Sequence, residues 1–116
     1  MAKGGSVYMM CSLNNSTIYT GVGSDLVVRV LQHKEKGDPN SFTATYNCIK
    51  LVYYCFYETI EAAIEEEKRI KGGSRKQKEA LINSMNPEWK DLWEEIKHWQ
   101  CEIASPNNRA RNDELV

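Results

Sequence analysis

The distribution of apolar positions predicts three short strands. Apolar and polar residues alternate over residues 6–13, and residues 17–22 form a second candidate strand after the turn at 14–16. Alternation with a period of two is typical of half-buried strands, and so short a connection favours an antiparallel hairpin. Residues 49–57 are dense in β-branched and aromatic side chains, which predicts a third strand at the centre of the sheet.

Helical spacing of apolar residues predicts four helices, over residues 25–36, 59–71 and 74–85 and from Pro87 onward. Ser24 is the predicted N-cap of the first helix. Ser74 and Gln77 have the spacing of a capping box at the start of the third. The order β-β-α-β-α-α-α makes an α+β fold, a small three-stranded antiparallel or mixed sheet flanked by helices.

Length and composition favour one domain, which we assign to residues 1–97. The polar residues 98–116 are predicted to form a partly disordered C-terminal tail. No apolar run approaches the roughly 20 residues of a membrane span. There is no secretory signal at the N-terminus, so we expect a cytoplasmic protein with free thiols at its four cysteines.

The charge distribution is uneven. A formal net charge of −1 argues against broad, charge-driven binding of nucleic acid. Residues 68–78 nevertheless contain six cations and no acid: Lys68, Arg69, Lys71, Arg75, Lys76 and Lys78. This cation run is either a solvated helix surface or a patch that binds a polyanion.

Glu67 is a carboxylate that falls on the predicted buried side of its helix, where water would not solvate it. At about 100° per residue it falls in the same arc as Ala63, Ile64 and Ile70. A carboxylate on a buried face is costly unless it is paired or bound to metal. Two explanations stay open: an ion pair with Lys71 at i+4, or an Mg²⁺ or Mn²⁺ site completed by water and a substrate phosphate.

Four further side chains have the chemistry of a phosphate site. Arg29 and His33 lie four residues apart on one helix face, where an arginine can bond two phosphate oxygens and a histidine can pass protons. Tyr8 and Tyr19 lie on the two hairpin strands. Gly21 follows Tyr19 by two residues and so lies on the same strand face. Because glycine has no side chain, this position would leave room for substrate backbone. Taken singly, the pairs are also explained by a solvated helix edge and by packed tyrosines.

The ordered series of these residues resembles the GIY-YIG nuclease superfamily, in its small stand-alone bacterial branch, over residues 6–93. The matching segments are Val7-Tyr8, Tyr19-Thr20-Gly21, Asp25-Leu26, Arg29-x-x-x-His33, Phe42-Thr43-x-x-Tyr46, the aromatic strand from Leu51 to Tyr57, Ala63-Ile64-x-x-Glu67-Lys68-x-Ile70-Lys71 and Met85-Asn86-Pro87-Glu88-Trp89-x-Asp91-Leu92. The chain departs from the family pattern at Ser6, at Gly23-Ser24 and at Gly73.

The resemblance implies a metal-dependent endonuclease that hydrolyses phosphodiester bonds in DNA. In the roles it implies, Tyr8 is the general base or orients the attacking water, and His33 accepts its proton. Tyr19 positions water or phosphate, Arg29 stabilises the transition state, and Glu67 holds one Mg²⁺ or Mn²⁺. The expected substrate contacts are Gly21, Thr43, Tyr46, Lys68, Lys71, Arg75 and Lys76.

A second hypothesis is that the protein has the same fold but catalyses no reaction. A catalytically silent module that binds nucleic acid or a protein partner agrees with the slightly acidic net charge. The complete set of five candidate catalytic side chains favours the nuclease.

Overall fold

A computed structural model describes residues 4–99 as three strands and five helices. In chain order these are β1 (Gly5–Cys11), β2 (Ile18–Gly23), α1 (Leu26–Lys34), α2 (Phe42–Thr45), β3 (Lys50–Tyr57), α3 (Ile60–Lys71), α4 (Arg75–Met85) and α5 (Trp93–Ile96). The predicted α+β class is confirmed.

The three strands form one antiparallel sheet in the order β2-β1-β3. The first strand is therefore central, and the prediction that the third strand is central was wrong. Because β1 pairs with both neighbours, it is the strand buried along its whole length. The aromatic content of β3 suits an edge strand whose two faces are both packed.

Alternation along β1 separates two hydrophobic clusters. Tyr8 and Met10 belong to a cluster with α1 and the chain around α5. Val7, Met9 and Cys11 belong to a cluster with α3 and α4. Helices therefore cover both faces of the sheet, and the side chain at position 8 faces α1.

The helix that carries Arg29 and His33 is shorter than predicted. Its N-cap is Asp25, whose side chain accepts a hydrogen bond from the Val28 amide at 3.2 Å, so Ser24 is not the cap. The capping box of Ser74 and Gln77 is confirmed. The short helix α2 was not predicted; its N-cap Ser41 accepts a hydrogen bond from the Ala44 amide at 3.2 Å.

The predicted helix from Pro87 begins only at Trp93. Trp89 has a left-handed backbone with φ of 56°, and its amide donates to the Asn86 carbonyl at 2.9 Å. A helix cannot pass through that conformation. The turn instead brings Asp91 and Leu92 to the edge of β3.

Asp91 fastens this segment to the sheet. Its Oδ1 accepts hydrogen bonds from the amides of Leu51 at 3.1 Å and Trp93 at 3.0 Å, and its other oxygen pairs with Lys34. The Leu92 amide donates to the Leu51 carbonyl at 2.7 Å. The outer edge of β3 is therefore covered at Leu51, where an unpaired amide would otherwise be buried.

Part of the predicted tail lies outside the described residues. Of residues 98–116 only 98 and 99 are described, and the Trp99 ring lies 5.9 Å from that of Tyr54. Cys11, Cys48 and Cys55 are free thiols, whereas Cys101 is outside the described part. Within residues 4–99 no helix has the length and apolar character of a membrane span.

Replacing Asp91 by alanine should lower the free energy of unfolding by about 2 kcal/mol, because the Leu51 amide loses its partner and a charge-assisted bond is lost. Urea unfolding measures the change. Glu94→Ala is the matched control, since it removes an exposed ion pair with Lys97 and should change stability by less than about 0.5 kcal/mol. Equal losses in the two variants would contradict the fastening role.

Candidate active site

Two phenols lie side by side on the sheet face that packs against α1. The ring centroids of Tyr8 and Tyr19 are 6.4 Å apart. Gly21 pairs with Tyr8 in the register of β1 and β2. A Cβ at Gly21 would lie 2.5 Å from the Tyr8 hydroxyl oxygen and 2.8 Å from the Tyr19 ring. The missing side chain thus makes room for the two rings, and not for substrate backbone as the sequence suggested.

A chain of hydrogen bonds leads away from the buried phenol. The Tyr8 hydroxyl is 2.8 Å from His33 Nε2, and His33 Nδ1 is 2.9 Å from Thr43 Oγ1. Thr43 Oγ1 is in turn 3.2 Å from Ser41 Oγ. A neutral imidazole that accepts from Tyr8 at Nε2 must donate its Nδ1 proton to Thr43. Thr43 is buried, so its hydroxyl orients His33.

Both members of the buried pair favour their neutral forms. Burial raises the pKa of Tyr8 to about 12, against the opposing charge of Arg29. Burial, reinforced by Arg29, lowers the pKa of His33 to about 4. At neutral pH the contact is therefore between a phenol and an uncharged imidazole. The pair therefore carries no charge in the resting state.

Arg29 lies above this pair in a space that Gly23 provides. A Cβ at Gly23 would lie 2.9 Å from Arg29 Cγ, and Arg29 Nη1 donates to Gln32 Oε1 at 3.4 Å. Arg29 Nε is buried and has no hydrogen-bond partner among the described residues. A buried guanidinium nitrogen without a partner is costly unless a ligand supplies one. A phosphate oxygen would satisfy it.

Glu67 approaches from the other side of the sheet, on α3. Its side chain points inward as predicted, and the residue is 8% exposed. Its Oε2 lies 2.8 Å from Lys71 Nζ, and that nitrogen lies 5.6 Å from the centroid of the Tyr19 ring. The carboxylate therefore lies within the sum of these two distances from the Tyr19 ring. Lys71 thus links the carboxylate to the Tyr19 ring, although α3 packs on the opposite face of the sheet.

The surroundings of Glu67 fit a single hard cation. Within residues 4–99, no cluster of three or more His, Cys, Asp or Glu side chains is arranged to hold a metal. A buried carboxylate whose described partner is the exposed ammonium of Lys71 can exchange that partner for an ion. Mg²⁺ and Mn²⁺ accept one carboxylate with water and phosphate as the other ligands.

A cavity of about 390 Å³ opens over the site. It is lined by Tyr19, Arg29, Gln32, His33, Gly37, Asp38, Ser41 and Thr43. Four of the five predicted catalytic side chains thus share one face of the sheet, three of them in the cavity wall. Tyr8 itself is fully buried beneath it.

Some of the predicted substrate contacts are exposed side chains, whereas others already bond groups of the protein itself. Tyr46, Lys68 and Lys76 are exposed. Arg75 is engaged, because it bonds the carbonyls of Asn15 at 2.5 Å and Ser16 at 2.6 Å and pairs with Glu79 at 2.7 Å. Arg75 thus holds the β1–β2 turn against α4 through these hydrogen bonds, a structural role that the sequence did not suggest.

Sequence reasoning missed several residues of the site, among them Gly37 and Asp38 in the cavity wall. Gln32 and Ser41 line the cavity, and Gly23 makes room for Arg29. Gln32 follows Arg29 by three residues, a spacing that places both on one helix face. The sequence contained no comparable indication for Gly23, because its contact depends on how α1 packs against β2.

Comparison with known proteins identifies the class. Residues 4–80 match the family described as the GIY-YIG catalytic domain. The chain belongs to this family, as its sequence predicted. The family's domain is that of endonucleases, which act on DNA and generally use divalent metal ions, so a nuclease-type function follows.

Bacterial relatives carry one common designation. UPF0213 protein SA0446 of Staphylococcus aureus is 35% identical over 77 residues, which is 66% of this chain and 90% of that protein. UPF0213 protein SERP0126 of Staphylococcus epidermidis is 33% identical over 69 residues, or 60% and 83%. The solution NMR structure of UPF0213 protein BH0048 from Bacillus halodurans has a TM-score of 0.49 and 24% identity, covering 77% and 93% of the two chains.

The buried histidine predicts a dependence of stability on pH. The folded pKa of His33, about 4, lies below its ordinary value of 6.5, so the unfolded chain takes up the proton first as pH falls. The unfolding free energy should therefore decrease from about pH 6.5 to about pH 4, and this contribution should be constant outside that window. Urea unfolding at several pH values measures it.

The two histidines provide the comparison for this experiment. His33→Asn should remove the pH-dependent contribution, whereas His98→Asn, at an exposed position, should leave it in place. An ordinary pKa for His33 in an NMR titration would contradict the environment described above.

Proposed function

We propose that the protein is a metal-dependent endonuclease that hydrolyses phosphodiester bonds in DNA. The observation that supports it most is the contact of 2.8 Å between the Tyr8 hydroxyl and His33 Nε2, beneath a cavity that Arg29 lines and where the buried Arg29 Nε has no hydrogen-bond partner among the described residues. The three groups offer a proton path and an anion contact at one point. Family membership supports the same reaction class.

The proposed proton path begins at the attacking water. The Tyr8 oxygen accepts a proton from water as its own proton passes to His33 Nε2, so no free phenolate forms. This avoids the high pKa of Tyr8, about 12. The imidazolium that results is stabilised by the negative charge of the phosphate, which offsets the repulsion from Arg29.

Arg29 has two tasks in this proposal. It binds the phosphate and stabilises the charge that develops on its oxygens. Tyr8 is fully buried and the Arg29 guanidinium lies close enough to act on its pKa, so we propose that Arg29 also moves to let water reach the phenol. Binding of phosphate supplies the partner that Nε lacks, and so favours that movement.

Glu67 is the proposed holder of one Mg²⁺ or Mn²⁺. When bound, the ion supplies positive charge that stabilises the phosphate and the leaving oxygen. Lys71 pairs with the carboxylate at 2.8 Å and is released to contact the phosphate. Lys68 and Lys76 are proposed to contact DNA farther along the strand.

Glu67→Gln should lower the rate of DNA cleavage by at least about 100-fold, because glutamine keeps the shape but loses the charge that holds the ion. Glu66→Gln is the matched control: it also removes an ion pair with a cation one turn on, but from a half-buried position whose partner Arg69 is exposed. Cleavage of single-stranded, duplex and branched DNA in Mg²⁺ and Mn²⁺ measures the effect. Cleavage that survives both Glu67→Gln and a chelator would overturn the mechanism.

Thr43→Val should lower kcat about tenfold, since the buried hydroxyl that fixes the His33 tautomer is lost. KM should change little, because Thr43 acts through His33 and not on the phosphate. Thr43→Ser keeps the hydroxyl and should restore the rate. The ¹⁵N shifts of the imidazole report the tautomer directly; an unchanged tautomer in Thr43→Val, or a loss that appears in KM, would contradict this role.

One observation favours the catalytically silent binding module as a second candidate. The Glu67 carboxylate already has a partner in Lys71, so its burial is satisfied without an ion. Tight DNA binding without any product in saturating Mn²⁺ would establish this alternative.

A further inference from the structure

Three aromatic rings form a continuous row on the surface beside the cavity. The ring centroids of Tyr19 and Phe42 are 6.0 Å apart, and those of Phe42 and Tyr46 are 4.7 Å apart. Phe42 is 48% exposed and Tyr46 is 51% exposed, and neither belongs to the two core clusters. We call these three rings the aromatic platform. Tyr19 is half-buried against the core, whereas Phe42 and Tyr46 are adjacent exposed rings that pack no core, and such rings indicate an interaction surface.

The aromatic platform begins at the catalytic residues themselves. The Tyr19 ring lies 5.3 Å from that of His33 and also lines the cavity. Phe42 stands between Ser41 and Thr43, which line the same cavity. A phosphate held by Arg29 would therefore place its neighbouring nucleotide beside the platform.

Charge alone would give this protein only limited affinity for DNA. The formal net charge is −1, and three members of the cation run, Arg69, Lys71 and Arg75, are paired with glutamates. Neutralisation of phosphates, the usual source of sequence-independent affinity, is correspondingly limited. Stacking of bases on aromatic rings supplies affinity that does not depend on net charge.

We infer that the aromatic platform stacks unpaired bases, so that the preferred substrate is single-stranded DNA or DNA with unpaired nucleotides at the cut. In a duplex each base face is covered by its neighbours, and a protein ring reaches it only after the base leaves the stack. An exposed pair such as Phe42 and Tyr46 suits a base that is already unstacked. This inference rests on the proposed nuclease function and narrows its substrate class.

Binding measured in EDTA tests the platform without cleavage. Fluorescence anisotropy gives Kd for a labelled single strand and for the duplex of the same sequence, and 2-aminopurine in the strand reports stacking. Phe42→Ala should weaken single-strand binding about tenfold and reverse the 2-aminopurine quenching, with less than about a twofold change for duplex. Tyr46→Ala should act in the same direction.

Phe56→Ala is the matched control, since Phe56 is a similarly exposed ring, at 56%, on the edge strand β3 away from the cavity. It should alter neither affinity. Circular dichroism confirms that each variant is folded, and Phe42→Leu, which keeps apolar volume without the ring, replaces Phe42→Ala where the latter is unfolded.

The outcomes separate this inference from the nuclease proposal. Equal losses for single strand and duplex, an unaltered single-strand Kd in the Phe42 variants, or no measurable single-strand binding by the unmutated protein would overturn the platform, whether or not DNA is cut. A selective loss of single-strand affinity would support it even if no product forms, in which case only the hydrolysis proposal fails.

Discussion

The site is organised by one buried hydroxyl that needs a partner. Tyr8 lies on the central strand and is fully covered, and a phenol oxygen in such a position is costly without a hydrogen bond. His33 provides it and thereby fixes how α1 lies over the sheet. The imidazole then needs an acceptor for its second nitrogen, which Thr43 supplies. Through these two contacts the buried Tyr8 hydroxyl is connected to α2.

Local periodicity accounts for what the sequence predicted well. Alternation marked β1 and β2, and the helical arc marked Glu67 as inward-facing, because both depend on residues close in sequence. The central place of β1, the helix α2 and the turn at Trp89 depend on contacts between distant segments, such as that of Asp91 with Leu51. The prediction that Gly21 leaves room for substrate failed for the same reason. The space beside Gly21 is filled by the Tyr8 ring, which comes from the neighbouring strand.

The electrostatics of the site are more localised than the cation run suggested. Glu66, Glu67 and Glu79 lie three or four residues from Arg69, Lys71 and Arg75 and neutralise much of the positive charge along α3 and α4. Arg29 lines the cavity together with Tyr19, and Lys71, although paired with Glu67, lies 5.6 Å from the centroid of the Tyr19 ring. Under the proposed function, this arrangement would bind one phosphate at Arg29 and attract the rest of the strand only weakly.

The segment around Asp91 lies beyond residues 4–80, which carry the family match. An uncovered strand edge is a template on which another chain can add a strand. A protein shortened to its family core would therefore be prone to assemble through β3 into aggregates, although every proposed catalytic side chain would still be present. The segment around Asp91 thus protects an edge of the sheet, although it lies outside the residues that hold the proposed catalytic side chains.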